Sequence, residues 1–299
     1  MSEALPQKAV NAYLLLVLTT LSWGANAVAA KMSVGELSPM LLTLLRWLGV
    51  FILLAIFARG KVAAEWPVLR RHWGRIFVMG ALGFCVFNTL MYVAAKHTQA
   101  VNIGILQGSI PIFVLLGAFA AYRTPVRGVQ ILGVAITMIG VALVASKGDF
   151  GRLAALELNH GDVLIVVACV LYAGYTVSLR KRPPLSGMTM FAGLATAAFL
   201  TSIPVAGYEY LVGDFQAPTV KGWAIVAFVV IFPSFLAQIS FLLAVDQVGP
   251  GRAGVFVNLV PIFAAVLSVA ILSEEFHLYH ALALALVLGG IAIAERFKR

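Results

Sequence analysis

The stretch that decides the fold is LSWGANAVAAK at residues 21–31, because LYAGYTVSLRK at residues 171–181 repeats its pattern 150 positions later. The same offset relates identical residues throughout the two halves of the chain. The identical pairs are Leu21 and Leu171, Gly24 and Gly174, Lys31 and Lys181, Gly104 and Gly254, Pro111-Ile112-Phe113 and Pro261-Ile262-Phe263, and Gly140 and Gly290. The sequence therefore predicts two copies of one structural unit.

The composition predicts a membrane protein. Hydrophobic residues make up 62% of the chain and charged residues only 11%, whereas a soluble globular chain carries roughly 25% charged residues. The mean hydropathy is +0.99, so a water-soluble fold would expose large apolar patches. A crossing helix needs about 20 mostly apolar residues. We predict an all-α membrane protein with ten transmembrane helices, at residues 11–30, 39–58, 75–95, 100–122, 127–146, 162–180, 187–209, 222–244, 252–272 and 279–295.

Each repeat contains five of the predicted spans, the first over residues 11–146 and the second over residues 162–295. Because five is an odd number, the second copy must enter the membrane from the opposite face. Inverted repeats around a site near the bilayer midplane are typical of secondary transporters, in which one half rocks against the other to give alternating access. The count of spans therefore indicates transport.

The distribution of lysine and arginine predicts the orientation. Fifteen of the 21 cationic residues fall in the tails and even-numbered loops, five fall in the odd-numbered loops, and Arg46 lies within a span. Because cytoplasmic loops carry the excess of Lys and Arg, we expect both termini on the cytoplasmic side of a bacterial plasma membrane. This placement also explains the net charge of +9 without a nucleic-acid partner. Residues 1–10 lack the pattern of a cleavable signal peptide.

The sequence lacks the motifs of the common enzyme classes. There is no Walker A, HExxH or GxSxG motif, and no loop is long enough to hold a nucleotide-binding domain. Cys85 and Cys169 lie within spans, without the Cys and His spacing of a metal site. We therefore expect no enzymatic activity, no cofactor and no metal ion.

Two prolines occupy equivalent positions near the middle of predicted spans, Pro111 in the fourth and Pro261 in the ninth. Proline removes a backbone donor and kinks a helix, and inside a membrane such breaks are tolerated where neighbouring helices or a cavity satisfy the freed carbonyls. We predict that the pair forms hinges or lines a cavity; the alternative is a pair of simple kinks. Gly83, opposite Pro233 in the repeat, is a second matched flexible point.

Polar and aromatic side chains at matched depths of both repeats predict a substrate site, because polar atoms within the hydrocarbon are costly unless they have partners. The predicted set is Trp23, Asn26, Asn88, Tyr92, Gln107, Tyr172, Tyr175, Gln238 and Asn258. Aromatic rings of this set could stack on an aromatic substrate, and the amides could bind ammonium and carboxylate groups. The alternative is hydrogen bonding between helices without a ligand.

Arg46 is the only full charge well inside a predicted span, roughly 10 Å from its end at 1.5 Å per residue. Its candidate partners are backbone carbonyls, a loop carboxylate such as Glu36, or the carboxylate of a substrate. The histidines and the acids Asp162, Glu209 and Asp246 fall in loops or at span ends. We therefore expect no protonation site at the midplane, and transport driven by the substrate gradient.

A family resemblance rests on motifs spread over nearly the whole chain. They are Ser22-Trp23-Gly24-Ala25-Asn26 with Lys31, Arg46, Ala100-Val101-Asn102 leading into Pro111-Ile112-Phe113, Gly133 and Gly140, and in the second copy Gly174, Pro261-Ile262-Phe263, Glu274-Glu275 and Gly290. With these motifs the chain resembles the drug/metabolite transporter superfamily of the EamA type, and within it the YddG-type exporters of aromatic and other amino acids. The resemblance implies ten helices in inverted repeats, a central cavity and export from the cytoplasm.

These observations together predict a monomeric transporter in the lipid bilayer that exports amino acids, aromatic and other neutral ones, or related small metabolites. A multidrug or organic-cation exporter is the alternative within transport, because the predicted pocket is rich in aromatic residues. A membrane receptor or scaffold that transports nothing is an alternative of a different class, although the loops offer no signalling domain. A channel would differ from a carrier in showing no saturable counterflow.

Overall fold

The structure is a computed structural model that describes residues 7–123, 126–149 and 159–296. These residues form helices joined by short connections, with no β-strand among them. The helices are α1 Gln7–Met32, α2 Pro39–Phe57, α3 Arg59–Arg71, α4 Trp73–Ala94, α5 Ala100–Tyr122, α6 Gly128–Ala145, α7 His160–Lys181, α8 Gly187–Leu211, α9 Val220–Val248, α10 in two pieces Pro250–Val257 and Val260–Leu272, and α11 Leu278–Arg296.

Nine helices of the described chain are long and apolar enough to cross a membrane. They are α1, α2 and α4 to α10. The remaining apolar helix, Leu278–Ala294 within α11, is shorter. At 1.5 Å per residue its 17 residues reach about 26 Å, somewhat less than the roughly 30 Å of a typical hydrocarbon core. The all-helical, membrane-spanning class expected from the composition is confirmed.

The connection between the second and third predicted spans differs from expectation. The charge-rich stretch from Arg59 to Arg75 was expected to be a connecting loop, but Arg59–Arg71 forms the 13-residue helix α3. Good helix formers such as the Ala63-Ala64-Glu65 run outweigh the charge, and Leu69, only 3% exposed, anchors the helix in the core. Helix α3 is too polar to cross a membrane and lies at the ends of α2 and α4.

Departures from regular helix repeat at the 150-residue offset. Helices α4 and α9 each contain a π-helical segment, Ala81–Val86 and Val230–Leu236. In α9 this segment contains Pro233, which lacks the N–H of a regular turn. In α4 the equivalent residue is Gly83, where an added Cβ would lie 2.5 Å from the Cβ of Tyr175. The matched flexible point of the sequence is therefore a matched π-bulge.

A second repeated departure interrupts α5 and α10. Helix α5 breaks between Gln107 and Ile110, and α10 breaks between Val257 and Val260. Pro111 and Pro261 lie in the first turn of the helical piece that follows each break, where the missing N–H has no intrahelical acceptor to lose. The prolines therefore restart their helices directly after a break.

The two halves interleave. Helix α1 packs on α9 and α10, and α7 packs in the same way on α4 and α5, while α2 packs on α8 and α6 on α11. Close approaches depend on glycine: a Cβ at Gly133 would lie 2.5 Å from the carbonyl oxygen of Gly290, and one at Gly24 would lie 2.7 Å from the Cβ of Phe263. The main apolar core contains residues of both halves, so neither half buries its helices alone.

Carboxylates of one half cap helices of the other. Glu209, 2% exposed, accepts hydrogen bonds from the backbone N–H groups of Met40 (3.1 Å) and Leu41 (2.9 Å) at the start of α2. Glu274 accepts from Ala100 (2.8 Å) and Val101 (2.9 Å) at the start of α5. Each carboxylate satisfies N–H groups that lack intrahelical acceptors and lies at the positive end of the helix dipole.

Candidate functional site

A cavity of about 150 Å³ lies between the two halves. A single water molecule needs about 15 Å³ on the same measure, so the cavity has room for a small solute. Ten of the twelve residues predicted from the sequence line it: Trp23, Asn26, Arg46, Asn88, Gln107, Pro111, Tyr172, Gln238, Asn258 and Pro261. The two that do not, Tyr92 and Tyr175, are buried behind the lining residues.

The repeated departures from regular helix bring these side chains together. The π-bulges of α4 and α9 contribute Gly83, Phe84, Pro233 and Ser234 to the lining, and Asn88 and Gln238 follow one turn later. The breaks in α5 and α10 contribute Gln107, Gly108 and Asn258. Side chains that a straight helix would point at its neighbour are thereby directed towards the cavity, which agrees with the frequent use of π-bulges at functional sites.

Arg46 forms the charged part of the cavity wall. It is 5% exposed, and its Nη1 donates hydrogen bonds to Asn26 Oδ1 (3.1 Å) and to the hydroxyl of Tyr92 (2.6 Å). Its guanidinium also lies 5.4 Å from the ring centroid of Trp47, within the range of a cation–π interaction. No carboxylate among the described residues pairs with Arg46. The cavity wall therefore holds a positive charge with neutral partners only.

Three polar atoms of the lining residues have no hydrogen-bond partner within the described chain: Arg46 Nε, Trp47 Nε1 and Asn88 Oδ1. The fourth such buried atom is the hydroxyl oxygen of Thr201, a residue that does not line the cavity. A buried donor or acceptor without a partner costs about 1–3 kcal/mol, and more when it is charged. Two donors and one acceptor on lining residues are thus left without a partner in the described chain.

Aromatic rings form the rest of the wall. Trp47 stacks on Phe84 with ring centroids 5.0 Å apart, and Phe87 lies 5.0 Å from Tyr172. Tyr175 packs edge-on against Phe84 at 5.2 Å and supports it from behind. These distances are those of favourable ring pairs. The charged group at Arg46 therefore faces a largely apolar and aromatic chamber.

Trp23 and Gln107 have local partners as well as a place in the wall. The indole Nε1 of Trp23 donates to the carbonyl oxygen of Pro233 at 3.0 Å, at the π-bulge of α9. The amide of Gln107 donates to the sulfur of Met91 at 3.2 Å, a weak acceptor. Hydrogen bonding between helices, the alternative to substrate binding, therefore accounts for part of the role of Trp23.

Sequence reasoning missed five lining residues that carry chemistry or shape: Trp47, Phe84, Phe87, Phe191 and Ser234. The signal for Phe84 was present, because it lies one helical turn before Asn88 and shares its face. Trp47 directly follows Arg46, and adjacent residues on a helix are not expected to share a face. Arg46 and Trp47 nevertheless both line the cavity.

Asp162 and His280, which the sequence places near span ends, belong to a buried hydrogen-bond network. Both are 0% exposed. Asp162 accepts hydrogen bonds from Thr98 Oγ1 (2.5 Å) and Asn102 Nδ2 (3.4 Å), and Asn102 Oδ1 lies 3.1 Å from His280 Nε2. The network joins α5, α7 and α11. None of its members lines the central cavity, so it links helices of both halves away from the candidate site.

The EamA-like transporter family matches residues 10–146 and residues 159–295. The chain belongs to the EamA-like transporter family. Two copies of the family unit thus cover the same two stretches that share the 150-residue offset. The resemblance to the EamA type is confirmed, and the chain is a multi-pass membrane protein of a transporter family.

Relatives in this family extend over nearly the whole chain. YyaM of Bacillus subtilis, an uncharacterized transporter, is 27% identical over 96% of this chain and 94% of its own. YedA of Escherichia coli K12, an uncharacterized inner membrane transporter, is 22% identical over 92% of this chain and 88% of its own. A crystal structure with 21% sequence identity superimposes with a TM-score of 0.66 over 96% of this chain and 98% of that chain, which supports the fold.

Proposed function

We propose that this EamA-like protein is an alternating-access transporter that exports amino acids, aromatic and other neutral ones, or related small metabolites from the cytoplasm, and that the central cavity is its substrate site. The observation that carries this proposal is the buried Arg46, which has neutral partners only and an unpartnered Nε beside an aromatic chamber. Arginine stays charged in proteins, and a buried charge without a counter-charge is costly. A substrate carboxylate would supply that counter-charge.

The three unpartnered atoms match the polar groups of a zwitterionic amino acid. The N–H donors at Arg46 Nε and Trp47 Nε1 suit a carboxylate, which accepts hydrogen bonds only, and Asn88 Oδ1 suits an ammonium group, which only donates. The rings of Phe84, Phe87 and Tyr172 offer an apolar surface to the rest of the substrate. Charge at one pole and aromatic surface around it favour an aromatic or large neutral side chain.

The proposed topology has ten transmembrane helices in two inverted five-helix repeats, over residues 11–146 and 162–295. In this proposal the protein is a monomer in the inner membrane, with both termini in the cytoplasm. The shorter helix α11 counts as the tenth crossing because it packs along α6, an 18-residue candidate span, through the Gly133–Gly290 contact. Cysteines introduced at both ends should be labelled by a membrane-impermeant reagent only after the membrane is opened. Labelling of a single end in intact vesicles would contradict an even number of crossings.

A multidrug or organic-cation exporter is the competing proposal within transport, favoured by the aromatic lining. The buried charge of Arg46 opposes it, because a cationic substrate would meet a like charge in a low dielectric. A scaffold that binds no small molecule would leave the unpartnered atoms without partners, whereas a receptor would bind a ligand there without transporting it.

Counterflow in proteoliposomes tests the proposal. Vesicles loaded with unlabelled phenylalanine should accumulate labelled phenylalanine transiently and saturably, and tryptophan and leucine should compete. Phenethylamine, which lacks the carboxylate, should compete at least tenfold more weakly. Preferential uptake of organic cations would favour the multidrug alternative, and absence of counterflow for both classes would favour a receptor or scaffold.

A further inference from the structure

A second cavity, larger than the central one, lies beneath helix α3. Its volume is about 750 Å³. Its apolar floor is formed by residues of α2, α3 and α8, among them Phe51, Leu54, Val62 and Ala192. It shares no lining residue with the central cavity. Helix α3 joins the ends of two candidate spans, α2 and α4, so a bilayer crossed by these spans would place the cavity at the boundary between hydrocarbon and headgroups.

The mouth of this cavity is cationic and aromatic. Arg59 and Arg70 line it from α3, and none of the lining residues is acidic. Trp66, which is 53% exposed, and Trp73 complete the mouth. Tryptophan is enriched at the headgroup level of membranes, and arginine recognises phosphate through its planar fork of donors. An apolar floor below a basic mouth is complementary to an amphiphile that has an apolar chain and a negatively charged head.

Two contacts hold α3 in place, so the cavity is formed before any ligand binds. Glu65 Oε2 accepts hydrogen bonds from the backbone N–H and the hydroxyl of Ser186, both at 3.0 Å, at the start of α8. Leu69 packs on α8 where a Cβ at Gly193 would lie 2.9 Å from its Cδ1. The single carboxylate of α3 is therefore engaged with α8 and does not neutralise the two arginines.

We propose that this cavity binds one anionic phospholipid, with an acyl chain between α2, α3 and α8 and the phosphate at Arg59 and Arg70. The inference is independent of the transported substrate. A zwitterionic lipid offers the same chains without net negative charge, so the proposal requires selectivity for the anionic headgroup. Cations near an anionic surface contribute roughly 1 kcal/mol each.

Native mass spectrometry of the full chain in detergent, titrated with phosphatidylglycerol or with phosphatidylcholine of the same acyl chains, tests the selectivity. The wild-type chain should bind one phosphatidylglycerol at least tenfold more tightly than phosphatidylcholine. The double variant Arg59→Gln/Arg70→Gln should lose about thirtyfold in phosphatidylglycerol affinity, the factor that corresponds to about 2 kcal/mol. Equal binding of the two lipids by the wild type would overturn the proposal.

A matched control separates a built site from general attraction to the basic helix. Lys61→Gln/Arg71→Gln removes the same charge from the same helix at exposed positions that do not line the cavity. This variant should keep phosphatidylglycerol affinity within about threefold. An equal loss in both double variants would mean diffuse electrostatic attraction and would overturn the site.

The acyl chain has its own test. Ala63 lines the cavity, whereas its exposed neighbour Ala64 does not, so Ala63→Phe should fill the space and reduce lipid binding at least tenfold, while Ala64→Phe should leave it unchanged. The thermal midpoint in detergent reports whether each variant folds. If the arginine variant fails to fold, the alanine pair decides, and tight binding to a folded Ala63→Phe variant would refute the proposal.

Discussion

The two halves of the central cavity have equivalent backbone features but differ in side-chain chemistry. Both have a π-bulge in the third candidate span of the repeat and a break in the fourth, 150 residues apart. In the first half Arg46 of α2 donates hydrogen bonds to Asn26 of α1 and to Tyr92 of α4. The equivalent positions in the second half are Thr196, Thr176 and Leu242, and no charge replaces Arg46.

This difference separates two requirements of a carrier. A repeated backbone gives two conformations of similar energy in which the halves exchange roles, as alternating access requires. Unequal side chains would give the proposed substrate one orientation, with its charged end at the first half. In the proposed transporter the symmetric features therefore concern movement, and the asymmetric ones concern recognition.

The largest expected effect follows from removing the charge that only the first half has. Arg46→Met should lower kcat/KM for phenylalanine counterflow about a hundredfold, since loss of one partner of a buried charge pair costs roughly 3 kcal/mol. Thr196→Val, at the equivalent position of the second half, should change it less than threefold. The comparison of the two variants in proteoliposomes measures the asymmetry directly.

A readout of recognition separates this role of Arg46 from a structural one. The wild-type protein should discriminate against phenethylamine, which has no carboxylate, and Arg46→Met should lose that discrimination while its thermal midpoint stays close to that of the wild type. Equal losses of flux for phenylalanine and phenethylamine, together with a lowered thermal midpoint, would mean that Arg46 contributes to folding alone.

The sequence located the spans and the polar residues within them because these signals are local. Apolar runs about 20 residues long and a fixed 150-residue offset locate the helices, and a charge or amide within a run stands out. The sequence has no signal that distinguishes a residue lining the cavity from one buried behind the lining. Tyr92 and Tyr175 share faces with lining residues, yet Arg46 and Phe84 lie between them and the cavity. The sequence did not predict helix α3, because the contacts that hold it in place come from α8, over 100 residues away.

The next effect tests whether equivalent glycines are equally necessary. Gly140 and Gly290 occupy matching positions at the contact of α6 with α11. A Cβ at Gly290 would lie 2.6 Å from the carbonyl oxygen of Gly133, whereas one at Gly140 would meet its nearest neighbour at 3.0 Å. Gly290→Ala should therefore lower the free energy of unfolding by about 1–3 kcal/mol through overpacking, seen as a lower thermal midpoint in detergent.

Gly140→Ala should be close to neutral, because the gain in helix propensity of up to about 1 kcal/mol offsets a small displacement of its neighbours. The two variants differ by the same single methyl group from the wild type, so each is the control for the other. Equal destabilisation would mean that α6 and α11 approach each other symmetrically.

A smaller effect concerns the different residues at the two π-bulges, Gly83 in α4 and Pro233 in α9. Gly83→Ala should displace Tyr175, since the added Cβ would lie 2.5 Å from the Cβ of that residue, and should reduce counterflow about threefold to tenfold through the ring of Phe84 that Tyr175 supports. Pro233→Ala adds no atom that clashes and restores an N–H group. It should leave KM within about twofold, and a larger effect than that of Gly83→Ala would show that the bulge of α9 shapes the site more than that of α4.

The smallest effect concerns Glu65, a carboxylate of the first half that accepts hydrogen bonds from Ser186 in the second half. Hydrogen bonds from Thr189 and Ser186 hold the pKa of Glu65 below its ordinary value, with Thr189 the larger cause. A carboxylate whose folded-state pKa is depressed stabilises the fold above its unfolded pKa of about 4.3, and the contribution is lost as the pH falls through the folded-state pKa. Because Glu65 lies near solvent, Glu65→Gln should cost less than about 1 kcal/mol at pH 7.

The thermal midpoint of wild type and Glu65→Gln, followed from pH 7 down to pH 4, measures this contribution. The difference between the two proteins should be constant down to about pH 5 and should shrink below it, because the wild type loses the ionised carboxylate that the variant never had. A difference that does not change with pH would mean that α3 is held on α8 by the packing of Leu69 against Gly193 and not by the charge of Glu65.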